Sequence, residues 1–134
     1  MTRFLLDANV LIALVVAEHE HHEGASRWFA DVDVFLVCPI VEGALVRTLL
    51  RLGESGHTAQ RLLCGVRADA RCTFVADSMS YRELDLGGLR GHREVTDAYL
   101  VGLAVYHDAR LVTFDRALAG QNQSSPLLLG VTSG

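Results

Sequence analysis

Short, unbroken apolar runs constrain the fold of this chain more than any other feature. Phe4-Leu5-Leu6, Val34 to Cys38 and Leu111 to Phe114 are continuous in their hydrophobicity instead of alternating with polar positions. That is the pattern of strands buried on both faces, as in a parallel sheet. Parallel neighbours cannot be joined by a tight hairpin and need a crossover of a dozen or more residues, usually a helix. The intervening segments supply helical periodicity, so the sequence predicts a three-layer α/β domain with a central parallel sheet of four or five strands and helices on both faces.

The expected elements can be placed along the chain. Asp7-Ala8-Asn9 is suited to turn the first strand into a helix from Val10 to about Glu18, with Asn9 as its N-cap. Ala25, Trp28 and Phe29 recur at helical spacing ahead of the second strand. Pro39 suits the first turn of a helix that carries Glu42, Ala44, Leu45, Leu49 and Leu52. Beyond Gly53 and Gly56, Ala59, Leu62, Leu63 and Val66 mark an amphipathic helix whose Arg61, Arg67 and Arg71 are available to solvent, followed by a third strand at Thr73-Phe74-Val75. The segment from Asp77 to Glu94, with Gly87-Gly88 and Gly91, reads as a short helix plus a mobile loop. A largely apolar helix follows from Ala98 to Tyr106, then the strand at Leu111, a short helix opened by Asp115-Arg116, and an edge strand from Leu127 to Val131.

With 134 residues, half of them apolar and only two prolines, the chain is expected to form one domain over residues 1–134. Its longest apolar run, Val10 to Ala17, is too short to span a bilayer, and Met1-Thr2-Arg3 leads into a stretch interrupted by Asp7 and Asn9 with no small-residue cleavage site. Cys38, Cys64 and Cys72 are odd in number and match no disulfide or metal spacing, so they are expected to be buried hydrophobes of a reduced, cytoplasmic compartment. All twelve basic residues are arginine. The absence of lysine weakens the acidic-pocket classes that ordinarily depend on one, namely P-loop phosphate binders, phospho-acceptor receivers and aspartate-nucleophile phosphatases. A net charge of −4 decides nothing about nucleic acid, because an acidic metal centre lowers the sum while basic patches sit elsewhere.

Four carboxylates fall where an apolar run stops or a helix begins: Asp7, Glu42, Asp97 and Asp115. In open parallel α/β sheets ligands bind outside the carboxyl ends of the strands, so acids placed there converge from distant parts of the chain. Converging carboxylates repel one another unless a cation joins them, and hard cations such as Mg²⁺ or Mn²⁺ are the usual partners, retaining waters and taking further ligands from a substrate phosphate. Each acid alone is more often a solvated group or a complement to a helix dipole. The shared position of all four points to metal-dependent phosphodiester chemistry.

Asn9 and Thr113, close in sequence to two of these acids, are candidates to orient them or a bound water, although capping and strand packing explain them as well. Arg116, beside Asp115, is the basic residue best placed for substrate, and Arg90 and Arg93 are weaker candidates among arginines that are equally well explained as solvated. His19-Glu20-His21-His22 matches no zinc spacing and reads as a solvated loop or helix start.

Leu6-Asp7-Ala8-Asn9-Val10-Leu11-Ile12, Thr96-Asp97-Ala98-Tyr99-Leu100 and Leu111-Val112-Thr113-Phe114-Asp115-Arg116 resemble the signature blocks of PIN-domain ribonucleases, and most closely those of the VapC-type toxins of toxin-antitoxin pairs. The resemblance covers essentially the whole chain in the right order, and the segment from His21-His22 to Trp28-Phe29 shares it. It implies an acidic tetrad of Asp7, Glu42, Asp97 and Asp115 that binds Mg²⁺ or Mn²⁺, with Asn9 and Thr113 in support. Glu42 departs from the commoner form, which has a small hydroxyl residue just before the acid, where this chain has Val41. The resemblance further implies an endoribonuclease acting on RNA, a homodimer, and a cognate VapB-like antitoxin whose C-terminal segment covers the site. Two other classes remain open on the sequence: a catalytically silent PIN-like module that binds RNA or protein, and an α/β phosphatase, which the absence of lysine disfavours.

Overall fold

A computed structural model describes residues 1–116 and 126–129, and in it the order of elements is β1 (Arg3–Leu6), α1 (Ala8–Val15), α2 (His22–Phe29), β2 (Val34–Val37), α3 (Pro39–Arg51), α4 (Gly56–Ala68), β3 (Cys72–Phe74), α5 (Val95–Tyr106), β4 (Arg110–Thr113) and β5 (Leu127–Leu128). Every strand pair is parallel and the spatial order is β3-β2-β1-β4-β5. The chain thus lays down β1, β2 and β3 in one direction, then returns across the sheet to place β4 on the other side of β1. Crossovers between parallel strands are right-handed, so helices α1 to α4 cover one face of the sheet and α5 the other. The packing of α1 on α2 and α3, of α3 on α4, and of α5 on β1 and β4 agrees with that division.

Burial follows the continuous runs. Leu5 and Leu6 on β1, Leu36 and Val37 on β2, and Val112 on β4 have no solvent exposure, although successive side chains on a strand point to opposite faces. Only a sheet covered on both sides buries both sets. Val41 and Leu45 close the core from α3, and Leu100 and Leu103 from α5.

Several local expectations change. The N-cap of α1 is Asp7, not Asn9, and its carboxylate accepts the Ala8 N–H over 2.7 Å; the helix stops at Val15. The segment 77–94 contains two 3-10 turns, Tyr81–Glu83 and His92–Glu94, and no α-helix. Of the cysteines, Cys38 is buried, Cys72 half-buried and Cys64 exposed, and all three are free thiols. Arg71 is not a solvated residue: it pairs with Asp69 at 2.9 Å and donates to the carbonyls of Phe29 and Val32, fastening the end of α2 to the start of β3. The edge strand at Leu127–Leu128 is parallel to β4; Val131 and the short helix expected after Asp115-Arg116 lie outside the described residues. Among the described residues no helix is long and apolar enough to cross a membrane.

Candidate active site

The strand order reverses between β1 and β4, and at such a switch point the crossover helices leave on opposite faces, opening a crevice at the carboxyl ends of the strands. Register fills that crevice with a particular pair of residues. Leu6 lies beside Val112, so the next positions, Asp7 and Thr113, emerge side by side, and the Asp7 N–H donates to the Val112 carbonyl over 2.9 Å.

Thr113 is completely buried and Asp7 nearly so, and a hydroxyl offers one donor and two acceptor positions. The Thr113 hydroxyl uses all three. It donates to Asp7 Oδ2 over 2.7 Å and accepts from the Asp115 N–H over 2.9 Å and from Asn9 Nδ2 over 3.3 Å. The other end of the Asn9 amide accepts the Phe114 N–H over 3.2 Å, which ties the first turn of α1 to the end of β4. Asn9 and Thr113 are therefore hydrogen-bonded into one network with Asp7.

Asp97 enters from the opposite layer, in the first turn of α5, and Asp115 stands exposed just past β4. Burial pushes the Asp7 carboxyl above its ordinary 3.8; the bonds from Thr113 and Ala8 oppose that rise, and the Asp115 charge adds to it. Burial also raises Asp97, and the charges of Asp7, Asp115 and Glu94 raise it further. Three carboxylates from three elements thus share one field. The carboxyl of Glu42, in the first turn of α3 beyond β2, is raised by burial and held down by Arg67, whose guanidinium lies 3.9 Å away and stacks over the Phe74 ring at 4.4 Å. The structure brings Asp7, Asp97 and Asp115 together and sets Glu42 on the same edge of the sheet against an arginine.

Sequence reasoning did not assign Arg67 to this edge, and no periodic signal could have, because its role depends on α4 packing back over α3. It also passed over Asp77, which follows β3 as Asp7, Glu42 and Asp115 follow their strands and whose charge reaches the buried Cys38 thiol. The rule that found the tetrad would have found Asp77 too. Arg116, Arg90 and Arg93 are all exposed.

The donors that converge are all carboxylate oxygens, a set that suits a hard divalent cation and not a soft one. Among the described residues no three His, Cys, Asp or Glu side chains close into a metal cage. An open arrangement fits Mg²⁺, which keeps several waters and is held by one or two carboxylates together with substrate phosphate.

The PIN domain family model matches residues 4–121. The chain is 45% identical over 130 residues to ribonuclease VapC29 of Mycobacterium tuberculosis, covering 96% of this chain and 98% of the relative. Among solved structures, the fold is similar to that of VapC20 of Mycobacterium tuberculosis, described as a sarcin-ricin loop cleaving toxin (TM-score 0.62, 17% identity, covering 90% of this chain and 92% of that one). It is also similar to VapBC2 of Rickettsia felis bound to a DNA fragment of its promoter (TM-score 0.62, 18% identity, covering 87% and 91%). A five-stranded parallel sheet with acids at its switch point, a family model spanning nearly all of the chain and a relative sharing almost half of its residues lead to one assignment: this chain belongs to the PIN-domain family, in its VapC ribonuclease branch.

Proposed function

We propose that this chain is a single-domain, divalent-metal-dependent endoribonuclease, the toxin of a VapBC-type pair, and that Mg²⁺ or Mn²⁺ binds at Asp7 and Asp97 with Asp115 and Glu42 completing the acidic set. The observation that carries the proposal is the convergence of Asp7, Asp97 and Asp115 at the switch point, where the Asp7 and Asp97 carboxyls are raised first by burial and then by the charge of their acidic neighbours. A site that gathers negative charge at a sheet's ligand-binding edge is made to be neutralised by a cation and then to take an anionic substrate.

A divalent cation held there supplies Lewis acidity towards the phosphodiester and lowers the pKa of water. The protein's own contribution is positional. Thr113 and Asn9 fix the rotamer of Asp7, and the α1 N-terminus holds that carboxylate in place through the Ala8 N–H. Asp97 and Asp115 approach from the other layer and from the strand end. Hydrolysis forms a bond between the water oxygen and phosphorus and breaks the bond to the 3′ oxygen, leaving a 5′ phosphate and a 3′ hydroxyl. Arg116, with Arg90 and Arg93 on the segment leading into α5, all exposed, would contact flanking phosphates.

Family membership also leads us to propose a VapB-like antitoxin as partner, a homodimer as the assembly and the cytoplasm as the site of action. The test of the central reading is total RNA incubated with purified protein in Mg²⁺ and in EDTA, beside Asp7→Asn purified identically. Discrete fragments made only by the wild type and only with metal are expected. Equal cleavage by Asp7→Asn defeats the assignment of Asp7, and no cleavage with any divalent metal favours a silent RNA- or protein-binding module.

A further inference from the structure

Two rings that the acidic chemistry does not use stand beside the site. Phe114 lies between Thr113 and Asp115, and the bond from its N–H to Asn9 Oδ1 fixes its backbone to the network that holds Asp7. Its side chain stacks on the imidazole of His21, with ring centroids 4.6 Å apart and planes inclined by 25°. His19 continues the row at a tilt, its centroid 5.6 Å from that of His21. The two stacked residues come from opposite ends of the sequence, so only the fold brings them together.

His21 is anchored by more than the stack. Its N–H donates to His19 Nδ1 over 3.0 Å, its carbonyl accepts the Ala25 N–H over 2.9 Å in the first turn of α2, and its Nε2 lies 3.5 Å from Glu20 Oε1. With its backbone fixed on both sides and its ring stacked on Phe114, His21 has less freedom to lose when a ligand settles against it. Yet neither ring is sealed in the core: the His21 side chain is 29% exposed and Phe114 is half-buried. Rings that serve only to fill a core are covered by it; these two keep part of their surface open, and Phe114 is next in the chain to Asp115.

Unpaired RNA bases are recognised chiefly by stacking on aromatic side chains, histidine included, while phosphates are held by charge. We propose that His21 and Phe114, extended by His19, form a stacking shelf for the base of a nucleotide flanking the scissile phosphate, which makes His21 a substrate-positioning residue. The proposal rests on the ribonuclease reading above and adds where a base sits on this chain. It assigns unpaired RNA at the cleavage site, because a base locked in a duplex has no free face to offer.

The probe is a short single-stranded RNA spanning a site that the wild type cuts in total RNA, made intact and with an abasic residue at each position flanking the cut in turn. Wild type, His21→Ala and His21→Phe are compared by steady-state kinetics, with Phe114→Leu reaching the shelf from its other ring. The wild type is expected to lose about fivefold or more in KM at one abasic position. His21→Ala loses a similar factor on intact RNA but little more on the abasic one, and His21→Phe, which keeps the stack and removes the imidazole nitrogens, restores the wild-type KM. An unchanged KM in both His21→Ala and Phe114→Leu overturns the proposal. So does a His21→Phe as impaired as His21→Ala, or losses from variant and abasic site that simply multiply. If the wild type cuts no RNA in any divalent metal, the ribonuclease reading has failed and the shelf falls with it.

Discussion

Thr113 has one hydroxyl and three partners, and that makes it the residue on which the geometry of the site turns. Its donor bond to Asp7 Oδ2 is charge-assisted, and its two acceptor positions, on a side chain with no solvent exposure, satisfy the Asp115 N–H and the Asn9 amide. Thr113→Val keeps the branched shape and leaves those partners unsatisfied, which costs about 2–3 kcal/mol of stability. The same change frees the Asp7 carboxylate to rotate, and losing a group that orients a metal-binding carboxylate lowers activity about 10–100-fold. It also removes a bond that holds the Asp7 pKa down, so the acidic limb of the pH–rate profile should move to higher pH. Thr113→Ser, with the hydroxyl kept, should recover most of both losses in denaturant titrations and RNA cleavage. An unshifted acidic limb in Thr113→Val would show that Asp7 does not titrate in the reaction.

At the scale of elements, the sequence made strands legible where an apolar run was continuous and helix ends legible where a residue had a single structural use. Pro39 does occupy the first turn of α3, and Gly53, with φ of 97°, closes that helix with its N–H to the Leu50 carbonyl and the Glu54 N–H to the Leu49 carbonyl. The cap of α1 was misplaced because Asp7 and Asn9 are both good N-cap residues, and here Asp7 is the cap while Asn9 faces Thr113. Arg71 misled because helical spacing cannot foresee bonds to carbonyls at Phe29 and Val32 on another element. The end of α5 repeats the α3 closure with a costlier residue. Asp108 takes φ of 54°, and its N–H and that of Ala109 bond to the carbonyls of Val105 and Ala104. Glycine enters that left-handed region without a Cβ penalty, so Asp108→Gly should raise stability by up to about 1 kcal/mol, and Asp108→Val should lower it by at least as much. Both are measurable as shifts in the urea midpoint, with RNA cleavage unchanged because the position lies at the end of α5 opposite Asp97.

For the whole molecule, the topology that creates the switch point also concentrates charge there, and the fold bears a cost that the proposed cation would remove. Asp7 and Asp97 both have carboxyl groups raised above 3.8, chiefly by burial and then by acidic neighbours. A group with a raised folded pKa binds its proton more tightly when folded than when unfolded, so the metal-free protein loses stability as pH rises from the unfolded value through the folded one. Above that window both carboxylates are ionised and their repulsion is fully felt. The sequence placed Asp7 at a strand end and Asp97 at a helix start, but the direction of this coupling was not legible in it, because that depends on how deeply each carboxyl is buried. In thermal melts without metal, Asp97→Asn should therefore be more stable than the wild type at neutral pH, with the difference shrinking as pH falls below the folded value. A cation that binds only the folded state reverses the ranking: Mg²⁺ or Mn²⁺ at a hundred times its dissociation constant should add about 2.7 kcal/mol of stability to the wild type, read as a higher midpoint, and should raise Asp97→Asn far less. Because the ligands must be ionised to bind, the metal-dependent rise should itself grow with pH through the raised carboxyl values. A wild-type midpoint that divalent ions leave unmoved at every pH would mean that these carboxylates bear their repulsion for some purpose other than holding a metal.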